Sequence, residues 1–194
     1  MLRGMVFLDY LNFDISLNNY YTKNELIKPK LDYFNLFPNL VKLREGVAYT
    51  KSYIFAPKPD DFLLQDERSQ KYFAWLSGLQ NAKYIDVVFG RQVARPTNRN
   101  NGMDITDRSS YYVVEKGTDL NLGLYALSGA FHNSYDVAYI ISGDTDYISL
   151  YTQLKMLGKI VIVCVVKGQS LGNLISKVDD YYVLDEHFFN DCLL

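Results

Sequence analysis

Two carboxylates stand two residues apart in "SGDTDY", residues 142–147, where an apolar run gives way to a helical pattern. At a separation of about 4 Å, Asp144 and Asp146 would repel by about 4 kcal/mol at an effective dielectric near 20. A nearby cation is therefore expected, or a proton retained on one acid. Asp9 closes another apolar run, "MVFLD", and Asp119 opens the helical stretch that follows "VVEKGT". Each of the four sits just past the carboxyl end of an expected strand, and in an open parallel sheet those ends share one edge where ligands bind. Acids far apart in sequence are thus expected to meet. Capping and the helix dipole account for one acid per helix start, so Asp119 and Asp146 taken singly are equally well read as caps. Asp144 beside Asp146 is not, since one cap suffices for one helix. Hard oxygen donors with no His or Cys nearby favour Mg²⁺ or Mn²⁺ over zinc. An ion so held activates water and stabilises a phosphoryl transition state, which is the chemistry of phosphodiester hydrolysis. Asn12 either caps the helix after Asp9 or adds a neutral polar group to the site.

The elements that would position these residues follow from periodicity. Strands are expected at residues 5–9, 46–57, 84–90, 111–115, 137–141 and 159–166, all rich in β-branched or aromatic residues or continuously apolar. Helical spacing predicts a helix within residues 15–34, interrupted by Pro29, and another over 66–81 with Tyr72, Phe73, Leu76 and Leu79 inward. A third starts at an N-cap, Thr118 or Asp119, and buries Leu120, Leu124 and Leu127. A fourth places Tyr147, Leu150, Tyr151 and Leu154 on one side and stops at Gly158. Residues 170–185 read as a helix and a short terminal strand, and Asp179 is a further acid that could approach the site. Residues 91–110 form a polar loop or hairpin tip, punctuated by Pro96 and Gly102. Strands alternating with helices imply crossovers, hence an α/β fold with a mostly parallel sheet and helices on both faces.

A chain of 194 residues with 48% hydrophobic content forms one domain, residues 1–194, with no repeat or linker to divide it. The net charge of -2 carries no global basic field, so any nucleic-acid binding would rest on a local patch. Cys164 and Cys192 are too few and too isolated for a disulfide framework or a zinc site. The longest apolar run is far short of a membrane span and the N-terminus lacks a signal pattern; no membrane partner and a cytoplasmic location are expected.

The blocks "VFLDYLNF", "VEKGTDLNLGLYAL" and "YIISGDTDYISLYTQLKMLGKIVIVCVV" resemble, in order, the three signature blocks of the NYN domain, a branch of the PIN-like nuclease superfamily. The resemblance extends over about residues 5–185. It implies a three-layer α/β/α sandwich around a mostly parallel sheet, an acidic Mg²⁺ or Mn²⁺ site and RNA as substrate, hence an endoribonuclease. Matched to the motifs, the metal-site acids are Asp9, Asp119, Asp144 and Asp146, with Asn12 as the polar residue of the first block. The chain departs from the pattern at Tyr10, where the family usually has Gly, and a bulky group there would narrow the cleft if it faced it.

Substrate contacts are expected from Arg91, Arg95 and Arg99, which stand together without an intervening acid, and from Lys116. Ser142 and Thr145 order the acidic turn or touch a phosphate, and Lys167 could approach the same edge. The 17 Tyr and 11 Phe fall mostly at core periods, a pattern that by itself points to the core and not to a base-stacking platform. A competing reading is a catalytically weak or inactive module of the same fold that binds RNA or a protein partner; a homodimer also remains open. A phosphatase or Toprim-like enzyme is disfavoured because the first strand carries no second acid two residues after Asp9. A dinucleotide-binding oxidoreductase is disfavoured because no GxGxxG follows a strand.

Overall fold

A computed structural model describes residues 1–98 and 102–194. Its centre is β1 (Leu2–Asp9), buried from Gly4 to Asp9. On one side β1 pairs in parallel with β2 (Val47–Pro59), which pairs in parallel with β3 (Ile85–Pro96). On the other side lie β5 (Val137–Ile141), β6 (Ile160–Val166) and β7 (Asp180–Leu184), all parallel. Only β4 (Tyr111–Lys116) runs antiparallel, against β3. The seven-stranded order is β4-β3-β2-β1-β5-β6-β7, so chain progression reverses direction between β1 and β5. That reversal is a topological switch point, with a crevice outside the carboxyl ends of the two strands.

Alternation along β1 sends Val6 and Leu8 to one face and Met5 and Phe7 to the other. The first face is covered by α1 (Tyr10–Lys23), α2 (Tyr33–Lys42), α3 (Glu67–Leu79) and α6 (Glu186–Asn190), which contribute Phe13, Phe37, Leu76 and Phe189. The second is covered by α4 (Thr118–Phe131) and α5 (Ile148–Met156), through Leu122, Ala126, Leu150 and Leu154. Each such Phe or Leu contributes about 1.5–3 kcal/mol by leaving water. No helix among the described residues is long and apolar enough to cross a membrane.

Several expectations change. The helix sought within residues 15–34 begins at Tyr10, because Asp9 is itself the cap and accepts from the Asn12 N–H at 3.3 Å. α2 was not anticipated; it contains Pro38, and the Asp32 cap and five buried side chains hold it in spite of that residue. α4 starts one residue before the expected caps, at Gly117, whose φ of 81° suits glycine. It buries the small face Leu122, Ala126 and Ala130, leaving Leu120 and Leu124 65% and 55% exposed. The helix expected after residue 170 is a single 3₁₀ turn, Gly172–Leu174. Asp179 lies at the far end of the sheet, bonded to the Val161 N–H and paired with Lys155, away from the other acids. Residues 91–96, expected as part of a loop or hairpin tip, extend β3, so Arg91 and Arg95 are strand residues.

Candidate functional site

β1 delivers Asp9 to the switch point almost wholly buried, at 5% exposure. One carboxylate oxygen caps α1. The other accepts from the Ser142 hydroxyl at 3.1 Å and the Tyr147 hydroxyl at 3.2 Å. The same Tyr147 hydroxyl lies 2.9 Å from Oδ1 of Asp119, so one phenol holds two carboxylates from distant parts of the chain. A phenol has a single proton and cannot donate fully to both. Burial pushes the Asp9 carboxyl up to about 6; the three donors oppose the rise and the Asp119 charge adds to it. When Asp9 holds its proton, the bonds can run in sequence from Asp9 to Tyr147 to Asp119.

Asp119 arrives by an unexpected route. An antiparallel strand should end at the opposite edge, but β3 and β4 continue beyond the sheet as a hairpin. β4 therefore returns only as far as Lys116, level with Arg91, and α4 starts at the same edge as α1. Asp119 does not cap α4, since no side chain does. The acidic turn likewise reverses the simple reading. Asp144 is the cap of the 3₁₀ turn Thr145–Tyr147, accepting from the Asp146 N–H at 2.9 Å, while Asp146 and Thr145 are exposed. Ser142 orders this turn, donating to Asp9 and accepting from the Asp144 N–H at 3.2 Å. Asn12 braces it: its carbonyl oxygen accepts from the Gly143 N–H and from the Gln169 side chain, each at 3.0 Å.

Three residues escaped the sequence reading. Tyr147 was assigned to the core, and only its hydroxyl reaches the acids. Gln169 fixes Asn12 and accepts from the Val166 N–H at 2.9 Å. Glu115 lies beside Asp119; burial raises its pKa and the Asp119 carboxylate adds to this. Its place four residues before Asp119, at a strand end, was the available signal.

Among the described residues no Lys or Arg forms an ion pair with Asp9, Glu115, Asp119, Asp144 or Asp146. Nor do any three acids close around one point as a finished coordination shell. In kind, the donors suit a hard dication: carboxylates without His or Cys. Among the described residues two buried hydroxyls, those of Thr118 and Tyr151, also have no hydrogen-bond partner, and that of Tyr151 feels the charges of Asp144 and Asp9. Tyr151→Phe is accordingly expected to stabilise the metal-free protein by about 1 kcal/mol, because it removes an unsatisfied hydroxyl; urea denaturation in EDTA would measure this, and a loss of stability would show that the hydroxyl is satisfied.

The basic residues divide. Arg91 and Lys116 are cross-strand partners and Arg95 faces Tyr112. Arg99 lies outside the described residues. Lys167 is turned to Glu186 and the Tyr20 ring rather than to the acids.

The NYN domain family model matches residues 3–185. The chain belongs to the NYN domain family. The family blocks occupy the places where the NYN domain's acids approach one another: β1 into α1, β4 into α4, and β5 through the acidic turn into α5 and β6. A crystal structure of a protein of unknown function from Vibrio parahaemolyticus is similar to this NYN domain, with a TM-score of 0.55 and 20% identity over 100% of this chain and 96% of that one. At that identity the likeness is one of fold. No curated protein matches the sequence. Tyr10, the departure from the family pattern, does not narrow the crevice: its ring packs on Tyr72 and Trp75 in the core, with centroids 5.7 and 5.4 Å away.

Proposed function

We propose that this NYN domain is a Mg²⁺- or Mn²⁺-dependent endoribonuclease of PIN-like, three-layer design, with Asp9, Asp119, Asp144 and Asp146 holding the cation. The observation that carries this reading is the shared contact of the Tyr147 hydroxyl with Asp9 and Asp119, with Ser142 tying Asp9 to the Asp144 turn at the switch point. Uncompensated carboxylates collected in a crevice disfavour the metal-free state, and a dication relieves them. When bound, the ion supplies charge neutralisation at a phosphoryl oxygen and a water of lowered pKa.

The chain's own groups do the rest. Ser142, Asn12 and Gln169 hold the acidic turn against α1, so that Asp144 keeps its place relative to Asp9. Tyr147 keeps Asp119 beside Asp9 and carries the proton that both compete for. Glu115 adds negative charge at the rim. Arg91, Arg95 and Lys116 neutralise phosphates flanking the scissile bond, so the RNA is held by cations at the side of an acidic centre.

The test is cleavage of a labelled RNA by the purified protein with Mn²⁺, with EDTA, and by Asp144→Asn. Loss on the order of 100-fold in the variant is expected, with the far-ultraviolet spectrum unchanged. Cutting that persists in EDTA or in the variant would refute the reading. A second reading, a module that binds RNA without cutting it, is favoured by one observation: Asp9 already satisfies its oxygens within the protein and, among the described residues, no three acids close on a point. Binding without cleavage at any Mn²⁺ concentration would select it.

A further inference from the structure

We propose that the outward face of the β3–β4 hairpin, extended by Lys58 of β2, is a track for single-stranded RNA, on which a row of three cations takes phosphates and Tyr112 stacks a base. The inference rests on the reading above for the kind of nucleic acid, but it concerns grip and not cleavage.

Lys58 is the register partner of Arg91, and Arg91 is the register partner of Lys116. Their side chains therefore leave the same face of three neighbouring strands, about 5 Å from one to the next. All three are exposed, and among the described residues none forms an ion pair. The Lys58 ammonium lies 5.1 Å from the centre of the Phe73 ring, which places it without neutralising it. Like charges directly opposite across strands destabilise a sheet; three in a row form a repulsion that a polyanion turns into attraction.

Farther along the same face, Arg95 pairs with Tyr112, whose side chain is 55% exposed. An exposed ring among cations suits a single strand, whose bases stack on aromatic side chains while Lys and Arg follow the backbone. In a duplex the bases are stacked on one another and offer no such face. The row is also well placed. Asp9, Phe55 and Val88 are level across β1, β2 and β3, so the cations stand three residues, about 10 Å, beyond Asp9 along the strand direction. They point to the α3 side and Asp9 to the α4 side, so a strand crossing the sheet edge between them touches both.

The test is fluorescence anisotropy of the full chain with a labelled oligouridylate of about 12 nucleotides, in EDTA so that metal-dependent cutting is silent, at several salt concentrations. Combining Lys58→Gln with Arg91→Gln is expected to weaken binding roughly tenfold and to reduce the log–log salt slope by about 1.4. Tyr112→Ala is expected to weaken it about fivefold or more with the slope unchanged, and Tyr112→Phe to restore it. A duplex of equal length should bind without regard to Tyr112. Unchanged affinity for the single strand in these variants, or an equal Tyr112 dependence on the duplex, would overturn the track. Binding of the expected kind without cutting in Mn²⁺ would overturn the ribonuclease reading alone.

Discussion

Asp9→Asn is expected to abolish cleavage while making the metal-free protein more stable at neutral pH. The Asp9 carboxyl ionises near pH 6 in the folded chain against an ordinary value of 3.8, chiefly because it is buried. Below 3.8 both folded and unfolded chains hold the proton, and nothing is lost. As pH rises from 3.8 to 6 the unfolded chain gives up the proton that the folded chain still holds, and by the time the desolvated group has ionised stability has fallen by about 3 kcal/mol relative to acid conditions. An amide never ionises and can donate to Tyr147 and Ser142 in place of the acid. The variant should therefore gain about 3 kcal/mol over the parent at pH 7.5 in EDTA and almost nothing at pH 3.5. Cleavage with Mn²⁺ should fall on the order of 1,000-fold, and Mn²⁺ should raise the denaturation midpoint of the parent only. Urea titrations at the two pH values decide it; a variant less stable than its parent at pH 7.5 would mean that the buried donors require the anion.

The second large effect is expected at a residue with no functional group. A Cβ added to Gly90 would lie 2.2 Å from the Thr118 hydroxyl, 2.8 Å from the Thr118 nitrogen and 2.9 Å from the Lys116 carbonyl. Two of these are backbone atoms, so no rotamer change relieves the clash. Gly90→Ala must push the start of α4 away from β3, and Asp119 with it. A loss of about 2 kcal/mol is expected, with cleavage reduced on the order of tenfold or more as Asp119 leaves Tyr147. At Gly143 the nearest atoms belong to the end of the Gln169 side chain, which can move only by giving up its bonds to Asn12 and the Val166 N–H, so Gly143→Ala should cost about 1–2 kcal/mol and no backbone shift. Adding Thr118→Ala to Gly90→Ala relieves the hydroxyl contact but not the backbone ones, so rescue should be partial. Full rescue would place the whole effect in the Thr118 side chain.

Much of the frame was legible because fully buried parallel strands are written as continuous apolar runs. β5 fell where its run predicts, and the acids that end β1 and follow β5 came to one edge for the reason given by topology. Asp119 reached that edge for another reason, the overshoot of a hairpin whose added strand residues, 91–96, were masked by their Arg, Gln and Pro. Such residues are common in an extension that is solvated on one face, and composition alone reads them as loop. α2 was hidden by Pro38, whose penalty is outweighed by burial that only the assembled core supplies. On α4 the exposed Leu120 and Leu124 were mistaken for the buried face because the helix packs through alanines. Tyr147 was correctly placed inward. A phenol carries an apolar body and a polar tip, and nothing in spacing says where the tip points.

The pairing of β1 with β5 joins segments about 130 residues apart. On a ribosome adding about 5–20 residues per second, β1 waits on the order of ten seconds for its second neighbour to be synthesised. Through that interval the nascent chain carries an unzipped apolar strand, a surface that invites aggregation and that a chaperone would cover. The same delay has a second effect: Asp9 lacks the Ser142 and Tyr147 hydroxyls until residues 133 and 138 positions further on have been made, so the acidic crevice cannot assemble before β5 and the turn after it emerge.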